Sequence, residues 1–208
     1  MSVLVVVVVG YLLGSMQAGL VVGRLARGVD IREYGSGKTG FTNTLRTVGL
    51  GGALVVVALD ILKGAAPVLV GQFVFDDPLA AALGGVAAVA GHTWPVFAGF
   101  RGGRGVATSF GAFLAVAPLA ALLTLVIGGI VLGVTRYVSV MSMTAMLAGF
   151  LLLSAFVVLG WTDPEYELFG VAVTASVELN HLGNLKRLLR GTEPKIGHGG
   201  ARRTPGRA

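Results

Sequence analysis

Gly91 to Thr108 reads GHTWPVFAGFRGGRGVAT, which sets one histidine, two arginines and clustered glycines between two long apolar segments. Apolar runs of that length belong in a hydrocarbon core, so the loop between them is what has to be explained. Gly102, Gly103 and Gly105 let the backbone turn tightly and bring N–H groups to one oxyanion, while Arg101 and Arg104 add fixed positive charge. That is the chemistry of a phosphate cradle. The competing reading is a basic turn between spans, whose arginines only orient the chain.

The surrounding composition sets the fold class. The 208 residues are 54% hydrophobic and only 12% charged, with a mean hydropathy of +0.83, well outside the range of soluble domains. An all-α integral membrane protein is predicted. Cysteine is absent, which excludes a disulfide framework and a thiolate metal site. No second histidine or carboxylate stands at metal spacing from His92, so neither metal nor cofactor is expected. A net charge of +6 would suit nucleic acid, but the basic residues sit in short loops between spans, where the positive-inside rule accounts for them. Nucleic acid is therefore discounted as a partner. Gly10/Gly14 and Gly19/Gly23 have the small-xxx-small spacing of helices packed closely in lipid.

Working outward from the loop, Leu79 to Phe97 forms a third span, with His92 and Pro95 near its end. Val48 to Phe75 is a second, carrying Asp60 and Lys63 three residues apart on one helical face. Charges inside a span are costly unless paired, so this pair is either functional or a structural staple. Ser2 to Gly23, without an ionisable side chain, is the first span rather than a signal peptide, because no basic residue precedes it. Downstream, 105–134 is too long for one span and is expected to break into two short helices at Pro118. Val140 to Leu159 and Leu168 to Leu179 complete seven transmembrane helices, with the N-terminus outside and the C-terminus in the cytoplasm. That count puts fifteen of sixteen basic residues inside, Lys63 lying within a span, and leaves Asp76, Asp77, Asp163, Glu165 and Glu167 outside. A five-span alternative would export Arg136 and is disfavoured. Residues 1–196 form one membrane-embedded domain; 197–208 read as a disordered basic tail.

Two further polar segments fall on the same side. GSGKTGFTN, Gly35 to Asn43, matches GxGxxG through Gly35, Gly37 and Gly40, but no strand precedes it and no βαβ pattern follows, so a dinucleotide site is excluded. What remains is a glycine loop with Ser36, Lys38, Thr42 and Asn43 able to bond an anion, followed by Arg46. NHLGNLKRLLRGTEPKI, Asn180 to Ile196, aligns His181, Asn184 and Arg187 on one helical face. Three basic loops on one face suit two phosphate-bearing ligands. An anion transporter is the alternative class, but no internal repeat is visible.

In this order, GSGKTGFTN with Arg46, DxxKG at Asp60 to Gly64, GHTWPVFAGFRGGRGVAT, TRYVS at Thr135 to Ser139, and HLGNLKRLLRGTEPKI resemble the bacterial acyl-phosphate:glycerol-3-phosphate acyltransferases over about residues 10 to 196. The resemblance implies a seven-span inner-membrane enzyme with a cytoplasmic site. It would move a fatty acyl group from acyl phosphate to the 1-hydroxyl of sn-glycerol 3-phosphate, giving lysophosphatidic acid and phosphate, the first acylation of phospholipid synthesis. By position, Ser36, Arg46, His181 and Asn184 would be catalytic. Gly35, Gly37, Lys38, Gly40, Thr42, Asn43, Lys63, His92, Arg101, Gly102, Gly103, Arg104, Gly105 and Ser139 would bind substrate. The partners implied are the two substrates and membrane lipid; oligomeric state is not implied.

An acyl phosphate is already activated, so transfer needs chiefly positioning and oxyanion stabilisation. The hydroxyl proton can pass to His181 or to the donor phosphate, the second being favoured because no carboxylate pairs with His181 in sequence. Ser36 as a covalent nucleophile is disfavoured for want of a base. The chain departs from the family pattern at Lys38, where asparagine is usual, at Arg101 and Arg104, where lysines are usual, and at Leu182-Gly183, where Arg-Glu is frequent. Arginine changes donor geometry while keeping charge.

Overall fold

The computed structural model describes residues 1–202; 203–208, the end of the expected tail, lie outside the described residues. Every regular element of the described chain is a helix, and the one β pairing among the described residues is an isolated bridge between Tyr34 and Arg202. Its helices are α1 (Ser2–Ser15), α2 (Ala18–Arg27), α3 (Phe41–Thr47), α4 (Leu50–Phe73), α5 (Pro78–Thr93), α6 (Val106–Val116), α7 (Pro118–Thr135), α8 (Val138–Val158), α9 (Tyr166–Asn180) and α10 (Leu182–Leu189). Helices satisfy their own backbone hydrogen bonds, as a hydrocarbon environment requires.

Five stretches are long and apolar enough to cross a membrane: Ser2–Arg27, Leu50–Phe73, Pro78–Ala98, Pro118–Thr135 and Val138–Val158. The break predicted at Pro118 is present, because proline opens α7 at a position where its missing N–H costs nothing. Only one product of that break is short, however. α7 has 18 residues and can span unaided, whereas α6 has 11. α9, at 15 residues, is also below the roughly 20 that a span ordinarily needs.

Small residues set the packing. α1 and α5 run so close that a Cβ at Gly10, Gly14 or Gly91 would meet the carbonyl oxygen of Gly84, Ala88 or Tyr11 respectively. α4 and α6 cross by the same device, Gly64 on the Thr108 backbone and Gly111 on that of Ile61. The Gly19/Gly23 pair serves differently from the helix contact expected, for Ile31 and Thr39 of the following loop fill that space.

The two ends of the bundle contrast. At one, Asp77 caps α5 by accepting the Ala80 N–H at 3.0 Å and takes the Ser2 hydroxyl at 2.6 Å, while Gln72 donates to Tyr166 Oη at 2.7 Å. The other end gathers the three polar loops. Of the tail expected to lack structure, 197–202 fold back onto that end. Gly35 N donates to Ala201 O at 3.0 Å, and Arg202 pairs with Glu33 at 3.0 Å.

Replacing Gly14 by leucine would force α1 away from α5 and is expected to destabilise by more than about 2 kcal/mol. Gly51→Ala, inside α4 with nothing within 4 Å of the added methyl, should not lower the thermal midpoint in detergent and serves as the control.

Candidate active site

Asn43 builds the first loop. Its Oδ1 accepts Ser36 N at 3.1 Å, and its Nδ2 donates to Ile31 O at 2.8 Å and Lys38 O at 2.9 Å. Gly35, at φ +49°, lies against that amide and has no room for a Cβ; Gly37 also needs a positive φ. The Asn43 side chain is thus committed to shaping the loop. α3 then carries Thr42 and Arg46 to the wall of a cavity of about 610 Å³, joining Gly35, Ser36, Lys38 and Gly40.

The second loop divides in two. Gly102 N donates to Thr93 O at 3.3 Å and Gly103 N to His92 O at 3.1 Å, so both amides are spent on the end of α5 and face no ligand. A Cβ at Gly103 would strike the His92 ring, which explains that glycine by close approach. Arg104, Gly105, Val106 and Ala107 do line the cavity, so the part of this loop that faces it is the first turn of α6, with its positive dipole end. Arg101 is exposed and lies off the cavity.

Lys63 likewise lies off the cavity: its Nζ is held by Asp60 Oδ1 and Met16 O, each at 2.8 Å. Asp60 and His92 both reach the cavity wall, with His92 Nδ1 3.4 Å from Asp60 Oδ1. The membrane-embedded pair anticipated from sequence is therefore a buried ion pair, with its carboxylate rather than its ammonium toward the site.

The third segment bends at His181, the last residue before α10. His181 Nδ1 lies 2.8 Å from Val177 O, which calls for a proton on Nδ1 and leaves Nε2 as the acceptor. Burial, with Arg104 nearby, pushes its pKa down to about 4. Asn184 Nδ2 donates to Glu193 Oε1 at 2.6 Å and Arg187 Nε to Oε2 at 2.8 Å. Burial would raise the Glu193 pKa, but the hydrogen bonds from Asn184 and Arg187 outweigh it and hold the carboxylate below its usual range. Arg104, between Gly103 and Gly105, is pushed down to about 10 by burial and the neighbouring Arg187, and is still charged at neutral pH. His181, Asn184, Ser139, Arg187 and Glu193 all line the same cavity. Glu193 had no role in the sequence reading. It reaches the site because the chain reverses at Gly191, φ +67°, and the only hint was a lone acid among basic residues.

Beyond these charges the cavity turns apolar between α6, α7 and α8, where Phe110, Leu132, Met141 and Met146 line it. A model of the glycerol-3-phosphate acyltransferase family matches residues 4–191. The chain belongs to that family. A glycerol-3-phosphate acyltransferase of Thermoanaerobacter sp. (strain X514) is 41% identical over 190 residues, covering 91% of this chain and 93% of its own. One from Clostridioides difficile (strain 630) is 42% identical over 201 residues, with 94% and 96% covered. The crystal structure of PlsY (YgiH), an integral membrane glycerol 3-phosphate acyltransferase, in its glycerol 3-phosphate form superposes with a TM-score of 0.88 at 37% identity, covering 95% of this chain and 96% of that one. Its lysophosphatidic acid form gives 0.84 at 38% identity. The acyltransferase fold therefore extends over nearly the whole described chain.

A histidine with a folded pKa near 4 and an ordinary value of 6.5 binds its proton more readily unfolded, so its contribution is complete above pH 6.5 and is lost as pH falls toward 4. The loss is expected to reach about 3 kcal/mol. Thermal midpoints across that window should fall more steeply for the wild type than for His181→Asn.

Proposed function

We propose that this protein transfers a fatty acyl group from acyl phosphate to the 1-hydroxyl of sn-glycerol 3-phosphate, directly and without an acyl-enzyme. The observation that carries the reading is one cavity in which Arg46, Arg104 and Arg187 converge beside an apolar slot. Two phosphates need the first feature and an acyl chain the second. The names of the family's members and the two ligand forms of the PlsY structure support the same substrate and product classes.

In the reaction the glycerol C1 oxygen attacks the acyl carbonyl carbon, an ester C–O bond forms, and the bond from that carbon to the phosphate oxygen breaks. Inorganic phosphate leaves with the bonding pair. The hydroxyl proton goes to the departing phosphate, because His181 is too weak a base to hold it. Its Nε2 instead accepts a hydrogen bond from the hydroxyl and aims it. Arg104 and the start of α6 stabilise charge on the donor, while Ser36, Thr42 and Arg46 hold the acceptor's phosphate. Ser36 Oγ accepts Lys38 N at 3.4 Å, which spends it on the turn of its own loop and is in keeping with direct transfer.

We place the three loops in the cytoplasm of a bacterial inner-membrane protein with seven crossings, α6 and α9 being the two short ones. Asp76, Asp77, Asp163, Glu165 and Glu167 gather at the opposite end without a lysine or arginine among them, which supports that orientation.

Phosphate release from palmitoyl phosphate by the purified protein in lipid should depend on glycerol 3-phosphate. Arg104→Ala should lower kcat/KM by roughly a hundredfold, the usual cost of one charge-stabilising donor. With radiolabelled palmitoyl phosphate in single turnover, label should pass to lysophosphatidic acid with none retained on protein; stoichiometric labelled protein would reject direct transfer.

A further inference from the structure

After α10 the chain reverses and runs back across the polar end of the bundle. Ile196 N donates to Arg136 O at 2.8 Å, which ties the returning segment to the loop between α7 and α8. Further on, Gly35 N donates to Ala201 O at 3.0 Å and Arg202 Nη2 meets Glu33 Oε2 at 3.0 Å, which ties it to the first glycine loop. Cavity-lining residues stand at both anchors, Ser139 near one and Gly35 at the other, so 196–202 bridge the cavity's mouth. Gly199, partway across, lines the cavity and is also exposed to solvent. The whole segment lies beyond 4–191, the residues that carry the family's pattern.

The bridge fits because it is nearly bare backbone. A Cβ on Gly200 would stand 2.8 Å from Arg46 O, and one on Gly35 would stand 3.0 Å from Gly199 O. Gly199 itself has φ +86°, a conformation that suits glycine. A Cβ there would be 3.9 Å from Arg46 Nη1, so the segment lies against the cation assigned above to the acceptor's phosphate. Its far end is lightly held. The Gly35–Ala201 hydrogen bond is joined by an ion pair whose side chains are 70% and 54% exposed, and exposed pairs contribute little. Nearer α10, Gly197 has φ +84° and nothing within 4 Å of an added Cβ, which leaves it room to turn. A segment anchored at one end and weakly fastened at the other opens locally at small cost.

We infer that 196–202 form a strap over the acceptor side of the cavity, pivoting at Gly197 and latched by Arg202 on Glu33, which lifts to admit glycerol 3-phosphate and closes to hold it beside Arg46. This rests on the acyltransferase reading above and assigns retention of the acceptor to residues outside the family's pattern. The donor's acyl chain lies between the helices, away from the strap. Closure therefore acts on one substrate and not on the other.

The test measures kcat and KM for glycerol 3-phosphate and for palmitoyl phosphate, in lipid, for the full chain, for chains ending at Ile196 and at Arg202, and for Arg202→Glu, Glu33→Arg and the two combined. Ending at Ile196 should raise KM for glycerol 3-phosphate about fivefold, the effect of one backbone hydrogen bond that keeps a loop in its binding shape. KM for palmitoyl phosphate should stay within about twofold. The chain ending at Arg202 keeps the latch and should match the full chain. Each single charge reversal should raise KM for glycerol 3-phosphate about threefold, within the range of an exposed pair, and the combination should restore it. A field acting on the phosphate alone would instead make Glu33→Arg lower it. An unchanged or lowered KM for glycerol 3-phosphate in the chain ending at Ile196 overturns the strap, as does an equal rise for both substrates. Should that chain not fold, the charge reversals decide, and absence of rescue in the combined variant overturns it. Failure of the acyltransferase reading looks different, since the full chain would then show no turnover of palmitoyl phosphate that depends on glycerol 3-phosphate.

Discussion

The carboxylate of Asp60 is the charge around which the polar end is assembled. It is 1% exposed, in the middle of an apolar helix, and such a group persists only when its neighbours satisfy it. Lys63 engages its Oδ1 at 2.8 Å and passes a second hydrogen bond to Met16 O, a carbonyl released where α1 unwinds before α2. His92 stands 3.4 Å away, and its own carbonyl receives both Gly103 N and the amide of Gln17. Gln17 in turn accepts the Thr39 hydroxyl at 2.5 Å. One buried ion pair thereby fixes the break in the first helix, the end of α5 and both glycine loops relative to one another. Its value to the protein lies in registry rather than in net stability, because desolvation of the two charges offsets much of their attraction.

Above this node the electrostatics are deliberately unbalanced. Arg46, Arg104 and Arg187 face one cavity and share Glu193, whose two oxygens are taken by Asn184 and Arg187. The Nε atoms of Arg46 and Arg104 are buried without a hydrogen-bond partner, a cost that an anion can repay by bonding the guanidinium groups. Burial and mutual repulsion lower the Arg104 pKa and leave its charge intact. An arginine at that position, where a lysine would lose its proton more readily, keeps the charge fixed under such pressure, because its unperturbed pKa is higher by two or more units.

Much of this was legible in the sequence because lipid imposes simple rules. Apolar runs gave the long helices, Pro118 gave the break, and three-residue spacing put His181, Asn184 and Arg187 on one face. What escaped depended on backbone groups or on chain reversal. Lys63 reads as a phosphate ligand until the Met16 carbonyl claims it, and no side-chain pattern announces a free carbonyl. Gly102 and Gly103 read as cradle donors until their amides meet the end of α5. Gly19 and Gly23 have helix-packing spacing yet seat Ile31 and Thr39. Glu193 enters only because the chain turns back after α10.

The same cavity joins two environments that rarely share a wall, and the order of its layers follows from the reaction they suit. An activated acyl donor carries its leaving group and its hydrophobic tail on opposite sides of one carbonyl carbon. The cationic loops and the α6 start must therefore sit at the bundle's end, while the slot must descend between helices directly beneath them. Apolar residues of α6, α7 and α8 line that descent within unbroken helices, whose backbone hydrogen bonds remain satisfied. Gly102 and Gly103 let the loop lie against the end of α5, so that α6 begins beside the His92 ring. Charge at the bundle's end and hydrocarbon between the helices thus share the wall of one cavity.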